Sequence, residues 1–194
     1  MGDASGLGAW MGRAFLRVTG WRLEGAPSAL PKYVVIAAPH TSNWDLPFML
    51  AVGLSYGVRV NWFGKASLFR WPLGYVCRAL GGIRVERGQR HNQVEQAVRL
   101  FAERDRLVLA VPPEGTRDHT RYWRTGFYFI AHGARVPIVL GFLDYARKVG
   151  GVGGVMMPTG SIEADMAEIR TFYAGVTGKY PAQQGDIEIR AAGS

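Results

Sequence analysis

YVVIAAPHTSNWDLPFMLAVGLS, residues 33–55, is the stretch whose reading decides the fold. Tyr33 to Ala38 is a β-branched, apolar run stopped by Pro39. Leu46 to Ser55 is an apolar stretch of helical length, with Ser42 or Asn43 available as its N-cap. The reading is strand, turn, helix, with a polar turn between the two apolar runs.

Outward from this unit the same alternation recurs. Val58 to Phe63 and Gly81 to Val85 read as short strands, with a helix over Leu68 to Leu80 between them. His91 to Arg104 places Val94, Ala97, Val98 and Phe101 on one helical face, and Leu107 to Val111 suits a strand buried on both sides. Phe127 to His132 and Val136 to Phe142 repeat helix then strand, and Gly150 to Pro158 reads as a glycine-loosened strand. Met166, Ile169, Tyr173 and Val176 stripe a last helix, with Ser161 as its cap and Glu163 and Asp165 in its first turn. The expected fold class is α/β: a single layered domain with a mixed, mostly parallel sheet flanked by helices and preceded by an N-terminal amphipathic helix.

Composition supports a folded chain. Hydrophobic residues make up 48% and charged residues 20%, which excludes intrinsic disorder, and 194 residues suffice for a core without a disulfide or metal staple. Cys77, the lone cysteine, has no partner for a disulfide or a thiolate zinc site, and buried packing is its expected role. His91, His119 and His132 show no zinc spacing, so no metal site is expected. The formal charge of +8 is dispersed without a nucleic-acid module, which favours an anionic membrane and anionic cosubstrates over nucleic acid.

No apolar run approaches the ~20 residues of a spanning helix. Arg13 and Arg17 interrupt any secretory-type stretch at the N-terminus. Leu7, Trp10, Met11, Ala14, Phe15 and Val18 recur at helical spacing with the two arginines off that stripe. Residues 1–26 are therefore expected to form an amphipathic segment that lies on a membrane surface or packs on the core, and residues 27–194 the main domain. Cytoplasmic placement is expected, with peripheral association at the inner face of the cell membrane.

Two polar loops follow buried strands. In the first, His40 and Asp45 stand five apart across a turn, close enough for Asp45 to hold one imidazole nitrogen and leave the other to take a proton. A capped helix start is the plainer reading of the same residues. In the second, Pro113-Glu114-Gly115-Thr116-Arg117, the glycine lets backbone approach a ligand and Arg117 offers a planar fork for phosphate. Glu114 would repel that phosphate, which assigns it to positioning. Ligands of α/β sheets bind outside the carboxyl ends of strands, so both loops are expected to face one cleft.

With Gly82-Ile83 and Arg87, and with Val136-Pro137-Ile138-Val139, these loops make four blocks in an order that resembles the glycerolipid acyltransferase family, which includes the 1-acyl-sn-glycerol-3-phosphate acyltransferases. His40 and Asp45 match its H-x-x-x-x-D block, Arg87 its glycine-led block, and Pro113 to Arg117 its F-P-E-G-T-R block. The resemblance implies acyl transfer from acyl-CoA or acyl carrier protein to a hydroxyl of a lysophospholipid or related phosphate-bearing lipid, with no cofactor, metal or acyl-enzyme. It implies His40 as general base, Asp45 as its holder, and Arg87 and Arg117 on the acceptor phosphate. Lys65 joins them, while Glu114, Gly115 and Thr116 shape the acceptor site. Val111-Pro112 departs from the family's aromatic, and the aromatic, basic stretch after Arg117 suggests that Arg121, Trp123 and Arg124 meet a larger head group or the membrane. A non-enzymatic lipid-binding protein and an acyl-CoA thioesterase are the alternatives.

Overall fold

The computed structural model describes residues 6–85 and 90–190. Its elements are α1 (Leu7–Val18), β1 (Arg22–Glu24), β2 (Lys32–Ala38), α2 (Asp45–Ser55), β3 (Val60–Lys65), α3 (Leu73–Ala79) and β4 (Gly82–Val85). There follow α4 (Arg90–Glu103), β5 (Leu107–Val111), α5 (Gly126–Ala134), β6 (Ile138–Asp144), β7 (Val149–Met156) and α6 (Ile162–Tyr173). The strands form one seven-stranded sheet in the order β1-β7-β6-β2-β5-β3-β4. The β6–β7 pair is antiparallel and every other pair is parallel. The fold is the mixed, mostly parallel α/β architecture anticipated from the sequence.

Right-handed crossovers decide which helices share a face. α2 and α3 follow strands that step toward the β4 edge, whereas α4 and α5 follow strands that step back, so the two pairs lie on opposite sides of the sheet. Alternation along β2 matches this. Val34, Ile36 and Ala38 join the cluster that holds Phe101 of α4, Phe127 of α5 and Met166 of α6. Tyr33, Val35 and Ala37 face the other way, with Met49 of α2.

Several sequence expectations need correction. The helix expected over Leu68 to Leu80 is broken into a 3-10 turn, Ala66–Phe69, and the short α3. Pro72 stands between them and has no N–H to continue a helical ladder. Neither Ser42 nor Asn43 caps α2, whose N-cap residue is Trp44 without a side-chain bond. Ser161 holds the cap position of α6 but its hydroxyl accepts no cap bond; Asp165 instead turns back and accepts the Thr159 N–H at 2.8 Å. Trp123 is buried against Phe127 and Tyr173, not presented on an outer surface to a membrane.

Helix α1 packs on α2 through a side that its apolar spacing does not single out. Ala9, Gly12 and Leu16 are buried, and Arg13 donates to the Ser55 carbonyl at 3.3 Å. Phe15 alone of the predicted stripe reaches the core, edge-on to Phe48. Leu7, Trp10, Met11 and Val18 stay exposed, Val18 at 88% and Trp10 at 64%. Gly12 permits the close crossing, because a Cβ there would lie 2.6 Å from the Ala51 carbonyl oxygen and 2.9 Å from the Ser55 nitrogen. Gly12→Val is therefore expected to force α1 off α2 and cost about 1–3 kcal/mol. Thermal unfolding would read this as a lowered Tm, and an unchanged Tm would mean that the crossing is loose.

Candidate active site

The site begins with strand register. β2 pairs with β5 so that Ile36 lies opposite Val111, and with β6 so that Ala38 lies opposite Phe142. The chain leaving β2 at Pro39 therefore emerges between the chain leaving β5 and the chain leaving β6. His40 belongs to the first exit, Glu114 to Arg117 to the second, and Tyr145 to the third.

Asp45 opens α2 and is buried. Its Oδ2 lies 3.0 Å from Nδ1 of His40 and accepts the Ser42 N–H at 2.9 Å. Its Oδ1 accepts the Tyr145 hydroxyl at 2.8 Å. A carboxylate with both oxygens engaged by donors presents only an acceptor to the imidazole, which assigns the Nδ1 position a hydrogen and leaves Nε2 bare. Burial, and next the Asp45 hydrogen bond, push the Tyr145 phenol well above its ordinary pKa, so it stays a donor.

Glu114 anchors the same loop from the opposite side. Its Oε2 accepts the His40 backbone N–H at 2.6 Å. It thus points neither at Arg117 nor into the cleft, but at the neighbouring loop, as a positioning residue can. Burial pushes its pKa up from 4.5 to about 7; the His40 amide and imidazole oppose this, and the Asp45 charge adds to it. Its Oε1 is buried with no hydrogen-bond partner among the described residues, an arrangement that disfavours the charged form.

A groove of about 2220 Å³ has His40, Lys65, Gly115, Thr116 and Arg117 among its lining residues. Lys65 and Arg117 are exposed there. Gly115 has φ +66°, and a Cβ on it would lie 2.6 Å from Nε of Arg124, so the glycine admits both the turn and that side chain. Arg87 lies outside the described residues. The lining also includes apolar side chains, among them Met49 and Val52 of α2, Leu73 and Val76 of α3, and Val35, Val60, Val108 and Ala110 of the sheet.

Beyond Val176 the sequence offers no periodicity, and the structure shows why the segment counts. The Tyr180 N–H donates to Oγ1 of Thr41 at 3.2 Å, and the Asp186 N–H to the Thr120 carbonyl at 3.0 Å. The Gln183 amide, with its nitrogen turned to the loops, donates to the carbonyls of Thr41 (3.0 Å) and Arg117 (3.1 Å). A strap thus ties both loops, and Nζ of Lys179 sits 5.3 Å from the Trp44 ring centroid beside it. Among the described residues no group of three or more His, Cys, Asp or Glu is placed to hold a metal ion.

The raised Glu114 pKa carries a signed consequence. The folded state keeps a proton that the unfolded chain has released, so stability is full below about pH 4.5 and declines as pH rises through about 7. Glu114→Gln keeps the acceptor oxygen and removes the titration. Wild-type Tm should fall relative to this variant by a few degrees between about pH 5 and about pH 8. Parallel Tm curves would refute the assignment.

Comparison with known proteins supplies a context for this geometry. No curated protein matches the chain. The solved structure of the 1-acyl-sn-glycerophosphate (LPA) acyltransferase PlsC from Thermotoga maritima is similar over 84% of this chain and 73% of its own. The TM-score is 0.59 at 16% sequence identity, a likeness of fold. The family model described as Acyltransferase matches residues 23–140, from β1 into β6 and across both polar loops. Since that match takes in more than half of the chain, the protein belongs to the Acyltransferase family.

Proposed function

We propose that the protein transfers a fatty acyl group from a thioester, acyl-CoA or acyl carrier protein, to a hydroxyl of a lysophospholipid-type acceptor bearing a phosphate. The observation that carries this reading is a groove lined by the oriented His40 imidazole, by the Arg117 guanidinium and by apolar side chains of α2, α3 and the sheet. In this reaction the acceptor oxygen attacks the thioester carbonyl carbon while Nε2 of His40 takes the hydroxyl proton. The C–O bond forms, the C–S bond breaks, and the imidazolium returns the proton to the departing thiolate. Asp45 holds the ring throughout and stabilises its protonated form.

The remaining residues serve positioning. Arg117, with Lys65 and Arg87, meets the acceptor phosphate, for which a fork of donors suits better than a point charge. Thr116 and Gly115 bring backbone close to the head group. The apolar side chains lining the groove take an acyl chain, at about 0.8 kcal/mol per buried methylene. Exposed Leu7, Trp10, Met11 and Val18 rest α1 on the membrane surface that supplies such substrates. No helix among the described residues is long and apolar enough to cross a membrane.

With acyl-CoA and lysophosphatidic acid, His40→Ala should lower kcat by about 10²- to 10⁴-fold. Thiol release independent of acceptor, at the same rate in its absence, would make the protein a thioesterase instead. Arg117→Ala should raise KM for a phosphate-bearing acceptor by about tenfold or more while leaving KM for the donor near the wild-type value. An equal rise in both would remove Arg117 from the acceptor site.

A further inference from the structure

The segment between β3 and β4 is exposed in a way that core packing does not account for. Trp71 is 82% exposed and Tyr75 69%, and Leu73, Val76, Leu68 and Leu80 are also among the exposed large hydrophobic residues. Anchorage is local: Gly74 fits against the Phe69 backbone, and Cys77 and Phe69 turn inward. What remains outside is a short, aromatic, apolar protrusion around Pro72.

Charge around it is one-sided. From Leu46 to Val85 the chain has no Asp or Glu, while Arg59, Lys65, Arg70, Arg78 and Arg84 are all cationic. Arg70 and Arg78 flank the protrusion and are exposed. Exposed acids lie on the other side of the sheet, with Glu95 and Glu103 on α4, beside Arg99, and Glu163 and Glu168 on α6. The α1 helix, packed on α2 on the protrusion's side, also has no acidic residue and also exposes a large apolar surface. One face of the molecule is thus apolar and cationic at two separate points.

We propose that Ala66 to Leu80 is a membrane-insertion element for an anionic bilayer, acting as a second contact beside α1. Trp71 and Tyr75 enter the headgroup and upper acyl region, as interfacial aromatics do, and Arg70 and Arg78 meet lipid phosphates. Leu73 and Val76 line the groove as well as standing exposed, so the groove wall is continuous with the inserted surface. A lipid acceptor or an acyl chain then reaches the groove beside His40 along an apolar path. This inference deepens the acyl-transfer reading, which it needs for its purpose but not for its test.

The test is co-sedimentation of the full chain with vesicles of phosphatidylethanolamine and phosphatidylglycerol, and with vesicles of phosphatidylcholine alone. Trp71→Ser/Tyr75→Ser should lower partitioning onto both by about tenfold or more. Arg70→Gln/Arg78→Gln should weaken binding to the anionic vesicles only, and added salt should weaken wild-type binding likewise. As a milder variant that keeps the fold, Trp71→Phe should reduce the quenching of protein fluorescence by brominated lipid; full quenching would overturn the proposal. Wild-type partitioning by the Trp71→Ser/Tyr75→Ser variant would also overturn it. So would loss of self-association in that variant with vesicle binding intact, which would assign the surface to a second copy of the chain. None of these readouts involves turnover, so their failure leaves the acyl-transfer reading standing.

Discussion

The whole site depends on a buried carboxylate, that of Asp45, being held by donors from separate parts of the chain. Its own loop supplies the Ser42 N–H and the His40 ring, and the turn after β6 supplies the Tyr145 hydroxyl. On the far side, Glu114 from the exit of β5 grips the His40 backbone. This clamp requires β2 to lie between β5 and β6, so the order of the central strands and the orientation of one imidazole are the same fact at two scales. A change in sheet order would leave the motif residues in the chain but separate the groups that aim them.

Two buried acids near one another come at a cost to the fold. Burial raises the Glu114 pKa, and the Asp45 charge reinforces the shift. The chain tolerates this where β2, β5 and β6 are packed on both faces and leave the loops little freedom. Conflict between local stability and geometry of this sort is expected at functional sites and nowhere else in quantity. The C-terminal strap adds a second restraint by bonding to Thr41, Arg117 and Thr120 at once.

What was legible in the sequence was whatever a period or a spacing expresses. β2 and β5 stood out because central strands covered on both faces are continuous apolar runs, and their ends fell at the loops that meet in the groove. His40 and Asp45 were legible as a pair because they are local. Tyr145 was not, since it reaches Asp45 across a hundred residues and sits in an ordinary turn. The strap lacked any signal because its bonds are made by backbone and amides in irregular chain. The stripe on α1 is apolar, but small residues, Ala9 and Gly12, decide its packing side, and hydropathy gives them little weight. Pro72 could have warned against one helix over Leu68 to Leu80, since it falls four residues inside that span.

The clamp's central claim concerns a single hydrogen: it sits on Nδ1 of His40, toward Asp45, and Nε2 is left as an acceptor facing the groove. Nitrogen-15 NMR of the histidine-labelled protein at neutral-to-basic pH reads this directly. The account predicts the Nδ1–H tautomer for His40, with a low-field proton resonance that disappears in Asp45→Asn. A predominant Nε2–H tautomer in the wild type would contradict it, because the nitrogen facing the substrate would then be a donor with no capacity to take the acceptor's proton.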